Sequence, residues 1–430
     1  MEPLSRRFVK QLIDSRPFPE FVRVGKSTPP DSVVDPATHT RNELNSLGID
    51  ELDTGATVAV GVGSRGIASI DAVITATVEE LRTRGYEPVI VPAMGSHGGA
   101  TAEGQRSLLE SLGIAEEHVG ASIDASMDTT TIATVEIDDC LAPVHVANAV
   151  LEADGFLVVN RVKPHTNFTG EIESGLCKML AVGLGKQPGA NAFHSAALNS
   201  GYVKTIKAFV DIIRTKTPCY GGVAVIENSQ EQVASISGVP ANKLLEREPV
   251  LLRHAREQMA LLPVDNLDLL VVDKIGKEIS GTGMDTNVIG RYRVLNTSDP
   301  DCPDIDLIYV RGLSDETEGN GNGIGLADIT RQQAVDQLRT AETYANAITS
   351  GSLERAKIPV VAPDDEMALS MALNVLGGYD PDTTRIAWIE STAELGELLV
   401  SRAVADELTR PILSRGRLQF EDGTAAVDLI

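Results

Sequence analysis

The sequence predicts an α/β protein of two domains, an N-terminal open and mostly parallel Rossmann-like sheet in residues 1–265 and a smaller C-terminal α/β domain in residues 266–430. Three observations carry this. At 430 residues the chain is longer than one core usually serves, and an apolar content of 42% is enough to fill two. Strand-like and helix-like patterns alternate from residue 57 onward, the rhythm of βαβ units. A helical stretch ends at Pro263 and a fresh strand follows it directly, which sets the boundary near residue 265.

Taken in order, TVAVGVGS (57–64) reads as a strand, SIDAVITATVEELRTRG (69–85) as an amphipathic helix closed by Gly85, and EPVIVPA (87–93) as the next strand. QRSLLESLGI (105–114) reads as helix, GFLVVN (155–160) as strand, VKTIKAFVDIIRT (203–215) as helix and GGVAVIEN (221–228) as strand. Near-continuous apolar strands of this kind belong to a parallel sheet covered on both faces, with ligands at the carboxyl ends of its strands. The helix EREPVLLRHAREQMALL (246–262) leads to the strands LDLLVVDKI (267–275) and DIDLIYVRGL (304–313). Helices RQQAVDQLRTAETYANAI (331–348) and DDEMALSMALNVL (364–376) and the strand TRIAWIE (384–390) complete the pattern, and EGNGNGIGLAD (318–328) reads as a glycine-rich turn.

Composition excludes several classes of partner. The formal charge is −24, from 61 acidic against 37 basic residues, and only twelve of the basic ones are lysine. Nucleic acid and anionic membrane surfaces are therefore disfavoured. Cys140, Cys177, Cys219 and Cys302 are widely spaced and form no CxxC pair, which argues against a structural zinc site or a disulfide framework and for a reducing cytoplasm. The N-terminus lacks a signal-like apolar core and no apolar run approaches bilayer length, so a soluble cytoplasmic protein is expected.

Residues 61–66 spell GVGSRG, a GxGxxG between a strand and a helix, the pattern that seats a dinucleotide pyrophosphate. The following strand ends VIVPAMGSHGG (89–99) without the acidic residue that would hold a ribose, which weighs against an NAD-dependent dehydrogenase. What remains is an anion-ready loop of backbone N–H groups, Ser64 and Arg65, whose planar fork can grip a carboxylate or phosphate; a plain surface arginine is the alternative. His97 and His165 each leave the carboxyl end of a strand, His165 behind the stiff Pro164. Lys163, Lys178, Lys186 and His194 share the connection that carries His165. The spacing is not that of a zinc hydrolase. His39, His118, His145 and His254 read as structural. In the C-terminal half DKIGKEISGTGMD (273–285) sets Lys274 and Lys277 directly after a strand, where a solvated turn is the alternative to a ligand contact.

Together, GSRG with Arg65, GSHGG with His97, KPHTNFTG with His165, GLCK with Lys178 and AFH with His194 resemble the nickel-pincer nucleotide-dependent lactate racemase family. The likeness continues through DKIGKEISGTGMD and GLSDETEGNGNGIGLAD into the second half. It implies two domains with the active site in the cleft and a pyridinium-3,5-bisthiocarboxylic acid mononucleotide carrying nickel. His194 would be the nickel ligand, a role that suits imidazole beside sulfur donors. Lys178 would be the covalent tether, with Lys163 and Lys186 as competitors for that role and noncovalent retention as the alternative, and His97 and His165 would be the paired acid/base groups. The two enantiomers of a 2-hydroxy acid anchored by its carboxylate present their hydroxyls on opposite sides, so one base cannot serve both. A histidine on each side removes the proton as hydride leaves for the cofactor, giving a 2-oxo acid that is reduced again on its other face.

Arg65 is expected to grip the substrate carboxylate, Lys277 to assist it, and Gly63, Ser64 and Gly98 to approach the cofactor phosphate. Enzymes that synthesise the cofactor are the implied partners. SRG stands where the lactate enzymes tend to have a proline-containing sequence, the His97 loop is rich in glycine, and residues 166–177 form an expanded segment. A 2-hydroxy acid larger or more polar than lactate is therefore expected. A noncatalytic nickel-cofactor-binding protein is the remaining alternative, in which His97 and His165 would have no role in turnover.

Overall fold

The structure, a computed structural model, describes residues 3–25, 32–64, 66–294, 297–350 and 352–429. The chain is an α/β protein that divides into two compact units. One comprises residues 30–165 and 169–259; the other joins residues 1–29, 166–168 and 260–430.

Strand β1 (Glu20–Val24) belongs to the second unit. The first unit holds β2 (Thr57–Val62), β3 (Glu87–Pro92), β4 (Ser122–Ile123), β5 (Thr129–Ile137), β6 (Cys140–Ala147), β7 (Gly155–Arg161), β8 (Cys219–Glu227) and β9 (Val233–Pro240). Six of them form a sheet in the order β4-β3-β2-β7-β8-β9, parallel except for β9, which returns antiparallel on β8. β2 and β7 read as continuous apolar runs because helices cover both faces: Val58–Val62 and Gly155–Val159 are all buried.

The helix Ile70–Thr83 buries Ile70, Val73, Ile74, Thr77, Val78 and Leu81, positions three and four apart that form one stripe facing β2 and β3. Full burial of a residue such as Leu81 contributes about 1.5–3 kcal/mol. The antiparallel hairpin of β5 and β6 stands apart from the main sheet and turns at Asp138, in the left-handed region at φ +53°. β6 buries alternate positions, Ala142, Val144 and Val146, whereas β5 is threonine-rich with only Ile137 buried.

The second unit contains β10 (Asn266–Val272), β11 (Asp304–Val310), β12 (Ile329–Arg331), β13 (Val360–Ala362), β14 (Ile386–Ile389), β15 (Leu398–Ser401), β16 (Ile412–Glu421) and β17 (Thr424–Leu429). With β1 they make a nine-stranded sheet, β13-β12-β11-β10-β14-β15-β1-β16-β17. The run from β13 to β14 is parallel and the remainder antiparallel. The single helix expected over 331–348 is two, Gln332–Gln337 and Thr340–Ser350. The break falls where the Arg339 N–H leaves the helical ladder to donate to the Gly319 carbonyl at 2.8 Å.

Candidate active site

Sheet order decides where a site can form. In the first unit β2 is flanked by β3 on one side and β7 on the other, so successive connections lead away in opposite directions from its carboxyl end. Such a switch point opens a crevice above the strands. Three connections leave it: Gly63 and Ser64 follow β2, His97 follows β3, and His165 follows β7. Adjacent strands lie about 4.8 Å apart, so the backbones entering the two histidine loops are separated by roughly 10 Å with the β2 loop between them.

On the β3 side, Ser64 Oγ hydrogen-bonds Nδ1 of His97, an exposed side chain whose ring is thereby oriented. On the β7 side, Lys178 Nζ donates to Nε2 of the half-buried His165. Arg65 lies outside the described residues. Gly63 is buried, and a side chain there would press on Asn160 Oδ1 and Met179 Cε at 3.1 and 3.0 Å.

Each of these loops is fixed from behind by a polar side chain that the sequence reading did not single out. The backbone N–H of His165 donates to Glu173 Oε2 at 2.5 Å, and Gly170 N and Arg256 Nη2 donate to Oε1 at 2.8 and 2.5 Å. Burial pushes the Glu173 carboxyl up, against the pull of these donors. Lys178 ends the short helix Leu176–Lys178, which continues as a π turn over Met179–Gly183 where Leu184 N reaches back to Met179 O at 3.0 Å. Such turns are frequent at functional sites. The turn is held by Glu248, wholly buried, whose Oε2 accepts the Cys177 N–H at 2.8 Å. Gly175 is required there, because a Cβ would sit 2.6 Å from the Glu248 carboxyl.

At the β2 loop, Ala68 N donates to Glu227 Oε1 at 2.5 Å, and Glu227 pairs with Arg161. At the β3 exit Gly98 and Gly104 touch backbone to backbone: a Cβ on Gly98 would lie 2.6 Å from the Gly104 carbonyl carbon. Gly98 thus has a packing reason to be glycine, independent of any phosphate. Glu248 could have been found in the sequence. It lies on the buried stripe Leu244, Leu251, Leu252 and Ala255 of its helix, a carboxylate among apolar positions.

His194 projects from the helix Lys186–Ser200, its ring edge-on to Phe193 and Tyr202 at centroid distances of 5.5 and 6.4 Å. The residue is solvent-accessible, yet desolvation by the surrounding protein pushes the imidazole down to about 4, with the positive charge of Lys178 acting in the same direction. Burial pushes the thiol of Cys177 up, so it is a neutral packing group.

In the second unit, Lys277 Nζ donates to the Gly281 carbonyl at 3.2 Å and its N–H to Thr317 Oγ1 at 3.2 Å. Lys274 pairs with the exposed Glu390 at 2.7 Å, a solvated ion pair. The four histidines read as structural lie in the helix Pro36–Leu44, the helix Glu116–Val119, β6 and the helix Leu244–Gln258. Among the described residues no group of three or more His, Cys, Asp or Glu is arranged to hold a metal ion. No helix among the described residues is long and apolar enough to cross a membrane. The end of β3 runs Pro92-Ala93-Met94-Gly95, without a carboxylate for a ribose.

A family model described as a domain of unknown function (DUF362) matches residues 64–283, just over half of the chain. No curated protein matches it.

Proposed function

Because the chain belongs to the DUF362 family, a domain of unknown function, its chemistry has to be read from its own side chains, and we propose that it is a 2-hydroxy-acid racemase or epimerase working with a nickel-pincer nucleotide. What supports the reading most is the pair of histidines on separate strand-end loops either side of β2, each with a polar partner on its ring. Inverting a carbinol carbon needs a proton acceptor on both sides, and loops leaving the strands either side of β2 each carry one histidine.

The residues present fit the cofactor. His194 is a solvent-accessible residue whose imidazole stays neutral well below pH 7, as a metal ligand's must be. Lys178 would suit the tether: it lies in the connection that follows β7, and its Nζ contacts the His165 ring. When bound, the nickel nucleotide supplies two-electron redox chemistry at the substrate's α-carbon. The chain's own part is to bind and move protons. Arg65 is the residue proposed to hold the carboxylate. His97, oriented by Ser64, and His165, held by Glu173, take the hydroxyl proton from one face and return it on the other. The favoured substrate is a 2-hydroxy acid bulkier or more polar than lactate, and the implied partners are the enzymes that build the cofactor.

The test uses the full chain produced together with cofactor-synthesis enzymes, supplied with optically pure 2-hydroxy acids and followed by chiral chromatography. His97→Ala and His165→Ala should each lower turnover by about 10²–10⁴-fold while bound nickel is retained. Unchanged turnover in both would leave a protein that only carries the cofactor, and nickel-loaded chain that scrambles no hydroxy acid would end the reading.

A further inference from the structure

Lys186 has no place in the chemistry above, yet it is among the most buried residues of the chain, with no accessible surface. Its backbone adopts a φ of +52°, in the left-handed region that side chains seldom enter. Its Nζ donates to the Pro92 carbonyl at 2.8 Å and to Gln105 Oε1 at 3.0 Å. Gln105, equally buried, turns its Nε2 to the carbonyls of Gly95 at 2.9 Å and His97 at 3.3 Å. Three carbonyls along the exit of β3 are thereby tied to two side chains from different helices, Lys186–Ser200 and Ala102–Ser111.

An ammonium is a costly filler for such a position. Burial pushes it down to about 8, with Asp124 acting weakly the other way, and its two partners are neutral. Methionine would fill the space without that penalty. A charged donor is stronger than a neutral one, however, and here one bond falls on the Pro92 carbonyl at the β3 exit and the other on Gln105, whose amide reaches the His97 carbonyl.

We propose that Lys186 and Gln105 are positioning residues that hold the His97 loop in place for proton transfer, Lys186 as the fixed post and Gln105 as the arm that reaches His97. For its catalytic consequence this rests on the racemase reading; for its geometry it does not.

The experiment is an NMR titration of the full chain labelled in histidine, with the His97 ring signals assigned by substitution, beside kinetics of the cofactor-loaded enzyme. The titratable groups facing Lys186 are Asp124 and, across the Gly185 and Gly189 backbone, His145, whose own basicity burial lowers. An inflection of the His97 signal near pH 8 is therefore the mark of Lys186. Gln105→Glu keeps an acceptor for the ammonium but removes the donor to Gly95 and His97. It should shift the His97 signals, leave those of His118 and His254 in place, and lower kcat about 10²-fold with little change in KM. Lys186→Met should abolish the inflection; should that variant fail to fold, Gln105→Glu decides alone. Unmoved His97 signals and an unchanged kcat in Gln105→Glu would overturn the proposal. A moved His97 signal in a chain with no racemase activity would sustain the positioning role and reject the proposed function.

Discussion

His194 shows how one side chain's surroundings set its use. A free imidazole near 6.5 is half protonated in mildly acidic solution, but His194 is held to about 4. The sign is definite: the unfolded chain takes up this proton near pH 6.5 and the folded chain only near 4, so acidification across that window favours unfolding at this residue. The same depression removes proton competition for a metal. We expect nickel in the cofactor-loaded protein to remain bound down to about pH 5, measured by metal analysis after gel filtration, and His194→Gln to lose at least about tenfold in nickel retention at pH 7. That His97, His165, Lys178 and His194 lie in connections leaving strand ends was legible in the sequence, because the strands before them read as apolar runs. Their supports Glu173, Glu227 and Gln105 were not, because each acts through a backbone contact that only the folded chain creates.

Among elements, the short helix and π turn at Leu176–Gly183 depend on Glu248. Burial raises this carboxyl to about 7 and its Oε1 has no hydrogen-bond partner among the described residues. Between pH 4.5 and 7 the folded state therefore binds more protons at Glu248 than the unfolded state, and stability from this group declines as pH rises through that window. Glu248→Gln keeps an acceptor for the Cys177 N–H and removes the ionisation. Its stability should lie close to the parent's at pH 5 and exceed it at pH 8 by on the order of 1 kcal/mol of unfolding free energy, read by calorimetry as a higher thermal midpoint. Equal midpoints at pH 8 would show that the carboxyl ionises there without cost. Strands β2, β3, β7 and β8 were readable because burial on both faces demands continuous apolar runs. The hairpin of β5 and β6 was not, since its pairing is made by the backbone and its exposed face is threonine-rich.

At the scale of the molecule, the decisive feature is the seat of β1. EFVRV has no local property that names its neighbours, and its strand lies between β15 and β16, pairing Val22 with Val400 on one side and with Arg415 on the other. Val22 and Val24 are fully buried in the core of that unit, and Phe21 packs edge-on to Trp388 at 6.3 Å. Deleting residues 1–25 should leave the second unit without the strand that joins the two parts of its sheet. A fragment of residues 260–430 should be largely unfolded by circular dichroism and regain structure when a peptide of residues 1–25 is added. Cooperative unfolding of the fragment alone, at the midpoint of the intact chain, would refute this. Contacts so distant in sequence leave no periodicity to read, which is why the parallel core was legible and this junction was not.

The same arrangement carries a consequence for the nascent chain. β1 must wait for partners synthesised several hundred residues after it, a delay on the order of tens of seconds at bacterial or eukaryotic elongation speeds. Through that interval the residues Phe21, Val22 and Val24 are an uncovered apolar edge, a ready substrate for a chaperone.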